Sequence, residues 1–372
     1  MKGKPRLALV ALLCVASLGA AERWRVQFIH DEKDSTLTIK DLKFPSASRG
    51  VAVGELIKQR KGTPVALVTS DGGKTWSFVK TKDSGLSLFF LNENVGWMVT
   101  ANGLWKTVES GRVWTELPES ASTRGITQVY FRDENNGWAI GQTKAFYSTT
   151  DGGAHWTKVR VVDQVEATRE RTVFTCIAFA NAQTGMVVGM SHPPRLPEPP
   201  FPAWMDPELT FRRPELPHLA IFIQTDDGGN TWKPSVSSMF GDPARLSFGS
   251  DGRGLLLLQF RDSFKYPSEV FRLDWTAGKS GRTFRREDRA VTDVAMPSAG
   301  TAYIAAVEPP GKLPWSPVPG KVKLLKSADM SNWTEMETDY RAVAHRVVLA
   351  AVDAEHVWAA TDTGMILRLE PK

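Results

Sequence analysis

The residues best suited to chemistry in this 372-residue chain are carboxylates held in a repeating frame. Asp71, Asp151 and Asp227 stand in TSDGGKTW (69–76), TTDGGAHW (149–156) and TDDGGNTW (225–232). A looser copy, TVESGRVW (107–114), lies between the first two, and a shortened one, SADMSNW (327–333), carries Asp329. An aspartate can move a proton or hold a metal ion, but one active site needs one set. The same Asp returning copy after copy marks a structural part. Asp-Gly-Gly supplies a side-chain acceptor and two residues that tolerate positive φ, which a tight turn between antiparallel strands requires. The Asp is expected to fold back onto turn N–H groups, and the Trp that follows to bury its indole under the turn. The framework residues are then Asp71, Gly73, Thr75, Trp76, Trp114, Asp151, Gly153, Trp156, Asp227, Gly229, Thr231, Trp232, Asp329 and Trp333.

Other reactive patterns are sparse. No HExxH, GxSxG, Walker or paired-Cys motif occurs, so neither a cofactor nor a catalytic set is assigned. The six His are not closely paired, and no metal site is expected. Cys176, in the apolar stretch 172–180 with no His in a recognisable pairing, reads as a buried, inert thiol.

The elements that position these residues follow from the order of the chain. Residues 1–21 combine Lys2, Lys4 and Arg6 with an apolar run over 7–18 and small residues before Glu22, the pattern of a cleaved secretory leader. An uncleaved anchor is the alternative. Removing the leader lowers the formal charge from +5 to +2, so a nucleic-acid partner is not implied. It also leaves Cys176 as the one remaining cysteine, so stability must come from packing.

Residues 87–117 read as an apolar strand, a polar turn, Gly-Trp and a second strand, a third strand, then the Asp motif; 128–159 repeat that order. Four short strands per unit with a period near 40 residues describe a propeller blade. The template places further units at 40–79 and 172–235, two degenerate ones at 244–275 and 290–336, and three strands over 345–369. The strand WRVQF (24–28) supplies the missing fourth. The expected fold is an all-β, seven-bladed β-propeller of four-stranded antiparallel blades over 22–372, closed by the N-terminal strand. Degeneracy leaves six and eight blades open.

These copies resemble the Asp-box, or BNR, repeats of sialidases and sortilin. The joint pattern of apolar strand, Gly-Trp and Thr-x-Asp-Gly-Gly-x-x-Trp is more closely similar to the photosystem II assembly and stability factor family. It is clear at Gly96-Trp97, Gly137-Trp138, 149–156 and 225–232, and weak beyond Pro243. The resemblance implies a seven-bladed propeller that binds a protein partner during assembly of a membrane complex, without catalysis.

Recognition is expected where connections break the repeat. The insert 191–217 holds nine prolines and Trp204; 308–320 carries Trp315 at the same place in its unit. Shorter elaborations at 55–63 and 261–268 occupy that place in two other blades. All four should share one face, with the Asp-motif turns on the other. Proline restricts the free loops, and Trp and Arg are favoured anchors. Candidate partner contacts are Trp204, Arg212, Arg213, Trp315, Arg60 and Lys61. The expected function is a monomeric, non-catalytic, secreted or periplasmic protein-binding scaffold or assembly factor. The alternative is a sialidase-like hydrolase or carbohydrate-binding propeller, to which Phe211-Arg212-Arg213-Pro214 bears a displaced likeness. A basic run, Arg282, Arg285, Arg286 and Arg289, is interrupted by Glu287 and Asp288 and argues against a phosphate-binding stripe.

Overall fold

Alternating apolar residues and Gly-rich turns divide the chain into short strands, and the computed structural model describes residues 22–118, 124–194, 216–260, 264–309 and 319–371. The strands form seven sheets. Blade one is Ser35–Lys43, Gly50–Lys58, Lys61–Thr69 and Ser77–Lys80; blade two is Gly85–Phe90, Gly96–Thr100, Leu104–Thr107 and Thr115–Glu116. Blade three is Ile126–Phe131, Gly137–Gly141, Phe146–Thr149 and Thr157–Lys158; blade four is Thr172–Phe179, Gly185–Ser191, His218–Thr225 and Lys233–Met239. Blade five is Asp242–Phe248, Arg253–Gln259, Ser268–Asp274 and Lys279–Phe284, the last a strand beyond the unit read from the repeat. Blade six is Ala290–Ser298, Thr301–Val307, Gly320–Ser327 and Thr334–Glu335. Blade seven joins Val347–Ala351, Val357–Thr361 and Met365–Pro371 to the N-terminal strand Glu22–Ile29. The closing register sets Trp24 opposite Leu369 and Phe28 opposite Ile366, so the N-terminal strand takes the missing fourth place.

The core is distributed between blades. Apolar side chains gather in seven clusters, each in the seam between two neighbouring blades. Second strands such as Gly96–Thr100 and Val357–Thr361 are buried along their whole length because neighbouring sheets cover both faces.

The inner strands of blades one to six each slip register by one residue. Such a bulge re-aims the next side chain. Four of these reach across a seam: Asp41 accepts from the Leu88 amide (2.8 Å), Ser87 donates to the Thr127 carbonyl (2.8 Å), Gln128 accepts from the Ile177 amide (3.0 Å), and Asp293 from the Leu349 amide (2.8 Å). Asp293 also holds Arg245 at 3.2 Å, so the buried carboxylate is paired and hydrogen-bonded.

Candidate binding face

In an antiparallel blade the turns between strands one and two and between three and four share one face. The connections between strands two and three, and from each blade to the next, share the other. The Asp motifs lie on the first face. In blade one the Thr69 hydroxyl donates to Asp71 (2.8 Å) and accepts the Gly73 amide (3.0 Å), while Asp71 accepts the Thr75 amide (2.9 Å) and hydroxyl (2.6 Å). Thr149, Gly153 and His155 repeat these bonds around Asp151, and Thr225, Gly229 and Thr231 around Asp227. Asp329 accepts the Ser331 and Asn332 amides and the Asn332 side chain.

Desolvation raises the Asp71 carboxyl, but the hydrogen bonds from Thr75 and Thr69 outweigh it and hold the group down at about 2. The bonds from Thr231 hold Asp227 at about 2, and donors at His155 and Asn332 hold Asp151 and Asp329 lower still. These carboxylates are ionised and occupied by their own turns.

The motif also interlocks with its neighbour. The Trp97 indole donates to the Gly152 carbonyl of the next blade (2.9 Å) and stacks on Phe131 at 3.6 Å. Trp358 does the same to Gly72 (3.0 Å) and Phe44 (3.6 Å). A Cβ on Gly229, which sits at φ 86°, would lie 2.2 Å from the Trp138 ring, so this glycine is required by both conformation and contact. One expectation needs correction. The motif indoles of Trp76, Trp114, Trp156, Trp232 and Trp333 are only half-buried, and the fully buried rings are Trp97 and Trp358 of the second strands. The motif Trp lies at the rim of its seam, whereas the second-strand Trp is covered by both blades.

On the opposite face, 55–63 is not a loop. Strands two and three of blade one pair to their tips, Lys58 opposite Lys61, around a two-residue turn with Gln59 at φ 48° and Arg60 at φ 66°. Arg60 and Lys61 are exposed there. Trp204, Arg212, Arg213 and Trp315 lie outside the described residues. The flanks of the 191–217 insert border an open cavity of about 520 Å³, lined by Glu166, Thr168, Arg171, His192, Pro217 and His218 among others. Beside it, in the seam of blades four and five, an apolar depression of about 480 Å³ is lined by Met239, Phe240, Phe260, Phe264, Tyr266 and Arg285. The Arg285 guanidinium lies 4.1 Å over the Tyr266 ring. A third hollow of about 550 Å³ shares Met239 and Leu258 and continues along the seam to Trp275.

The other residues able to do chemistry disperse. Tyr303 of blade six is buried and donates to the Ala354 carbonyl (2.7 Å), Tyr130 of blade three is stacked on Phe179, Tyr147 lies on another strand of that blade, and Tyr266 and Tyr340 sit in connections. The basic run is compensated: Arg282 and Arg285 face Glu269, Arg286 faces Asp288, and Arg289 bridges Asp288 and Glu335. Cys176 is buried, and desolvation pushes its thiol up to about 11. One grouping escaped the sequence reading. His192, His218 and Asp242, far apart in the chain and without a ligand motif, converge where the insert leaves blade four.

The family model described as photosynthesis system II assembly factor YCF48 matches residues 116–194. The photosystem II assembly lipoprotein Ycf48 of a Nostoc species is 30% identical over 109 residues, covering 26% of this chain and 30% of the relative. The chloroplastic stability/assembly factor HCF136 of Arabidopsis thaliana is 26% identical over 108 residues, covering 26% and 25%. The matched stretch therefore spans less than a third of the length of these relatives. Two solved structures agree in fold. YCF48 from Cyanidioschyzon merolae superposes with a TM-score of 0.60 at 13% identity, covering 94% of this chain and 99% of that one. YCF48 bound to a D1 peptide gives 0.58 at 16%, covering 91% and 98%. The chain is thus a seven-bladed β-propeller whose repeat resembles that of photosystem II assembly factors, most directly over residues 116–194.

Proposed function

We propose that this propeller is a non-catalytic, extracytoplasmic binding protein that helps a membrane-associated complex assemble or stay intact by holding a segment of a partner protein. The reading draws on the likeness to assembly factors, one of which was solved with a peptide bound. The observation that carries it is the run of apolar and aromatic surface in the seam of blades four and five, at the root of the 191–217 insert. Concave apolar surface with a few polar groups suits an extended peptide. Trp204, Arg212, Arg213 and Trp315 are assigned as anchors, with Arg60 and Lys61 on the rim. The Asp motifs serve as scaffold, since each carboxylate is occupied by its own turn. Residues 1–21 provide export.

The test replaces both 191–217 and 308–320 by a short turn like 100–103, followed by affinity capture from the native envelope. The expected result is loss of a membrane-complex subunit from the captured material, with strand circular dichroism and melting unchanged. Retained capture refutes the assignment. Turnover of a sialoside that disappears with Arg212→Ala refutes the non-catalytic reading.

A further inference from the structure

We infer that His192, His218 and Asp242 form a binding site for a divalent transition-metal ion of the zinc class, at the root of the blade-four insert. Three separate elements supply the ligands. His192 follows the strand Gly185–Ser191, His218 opens His218–Thr225, and Asp242 opens the inner strand Asp242–Phe248 of the next blade. One ligand atom from each lies within 4.8 Å of the other two. The backbone fixes them there: the His192 amide donates to the Arg171 carbonyl (3.0 Å), and Gly241 at φ 86° turns the chain to set Asp242 beside His218.

His218 is buried, with Nε2 3.1 Å from Asp242 Oδ1 and 3.0 Å from the Gly241 carbonyl oxygen. The His192 ring stands edge-on to that of His218, with centroids 5.3 Å apart.

Two imidazoles and one carboxylate are the donor set of borderline divalent metals, with bonds of about 2.0–2.2 Å and a fourth position open. Ligand atoms around a tetrahedral ion stand roughly 3.4 Å apart, so from separations within 4.8 Å a movement of about 1.4 Å in the half-buried His192 closes the site. The adjoining cavity of about 520 Å³, lined by both histidines, leaves room for water or a partner side chain as the fourth ligand. Arg171, which lines that wall together with Glu166, donates to the Thr168 hydroxyl. The site ties the two ends of the insert to blade five, and it stands apart from the partner reading above.

The test is calorimetric titration of Zn2+ into the chelator-stripped, untagged chain, with the visible spectrum of added Co2+ as a ligand-specific signature. One equivalent should bind, with nitrogen and oxygen ligation. His192→Ala and Asp242→Asn should each weaken binding by at least about tenfold, while His155→Ala and His345→Ala leave it unchanged. Both ligand variants keep the buried His218, so they report ligation rather than misfolding. Absence of stoichiometric Zn2+ binding, affinity indifferent to both variants, or equal affinity for Ca2+ overturns the site.

Discussion

Replacing Trp24 by Ala tests whether the N-terminal strand closes the ring. Trp24 is 2% exposed, lies edge-on to Tyr303 of blade six at 6.5 Å, and sits in a strand paired on one side to Met365–Pro371 and on the other to Glu337–Thr338. Its indole therefore clamps the last two blades. Removing a buried Trp side chain costs about 3–5 kcal/mol. The Trp24 Nε1 finds no acceptor among the described residues, and an unsatisfied buried N–H forfeits about 1–3 kcal/mol, which places the net loss near the lower end, about 3 kcal/mol. With an unfolding entropy of about 2.1 cal/mol/K for each of roughly 350 residues, Tm should fall by about 4 °C. Trp24→Phe keeps most of the ring and discards the orphan N–H, so it should stay within about 1 kcal/mol of the parent. Urea unfolding followed by circular dichroism, with scanning calorimetry, reads both variants. An Ala variant that unfolds with the parent, or a Phe variant as damaged as Ala, refutes the clamp.

Acid should loosen the face that carries the Asp motifs. Asp71 and Asp227 are held at about 2 against an ordinary 3.8, so their contribution is complete above pH 3.8 and disappears as pH falls towards 2. Stability measured across pH 2–5 should therefore drop more in the parent than in Asp71→Asn/Asp227→Asn, and identical profiles contradict the assignment. Trp156→Ala should cost about 3 kcal/mol or less, because its indole is half-buried although bonded to Gly153 at 3.0 Å, while Trp204→Ala should leave the melt unchanged. Equal losses at the two positions would make the insert part of the packed seam. Cys176, its thiol pushed up to about 11 by burial, should resist a maleimide in the native chain beginning at Glu22 and react only on unfolding, so fast native labelling would disprove the packing around it.

Five of the seven blades were legible because a turn motif is local. Asp, two glycines and a Trp at fixed spacing set a conformation within eight residues, and copies of it index the repeat. The closing strand was legible because the three strands over 345–369 lacked a fourth, which WRVQF (24–28) could supply. The depth of burial was not. Whether an indole lies at the rim or the centre of a seam depends on the neighbouring sheet, which is why Trp97 and Trp358 prove more buried than Trp76 and Trp156. The inner-strand bulges escaped too, since the side chains they re-aim, Asp41, Ser87, Gln128 and Asp293, are not all of one residue type and only their position beside a slipped register unites them. The His192, His218 and Asp242 grouping lay beyond any spacing rule because it spans two blades.

The seam of blades four and five shows why repeat decay and surface features coincide. Where a full Asp motif follows, the second strand of the preceding blade offers a Trp: Trp358 to blade one, Trp97 to blade three, Trp138 to blade four. Into blade five, which has no motif, blade four offers Met186 instead, and Trp275 from the following turn meets Phe248 at 5.9 Å as a partial substitute. Neither half of the interlock is present at this seam: blade five has no motif glycine and blade four no second-strand indole. The incompletely filled seam then opens as the hollows of about 550 and 480 Å³. The same seam carries the long insert and the imidazole–carboxylate cluster. The insert belongs to blade four, which keeps its motif and its interlock with blade three through Trp138, so the loosened seam lies only on the side of that blade that faces blade five.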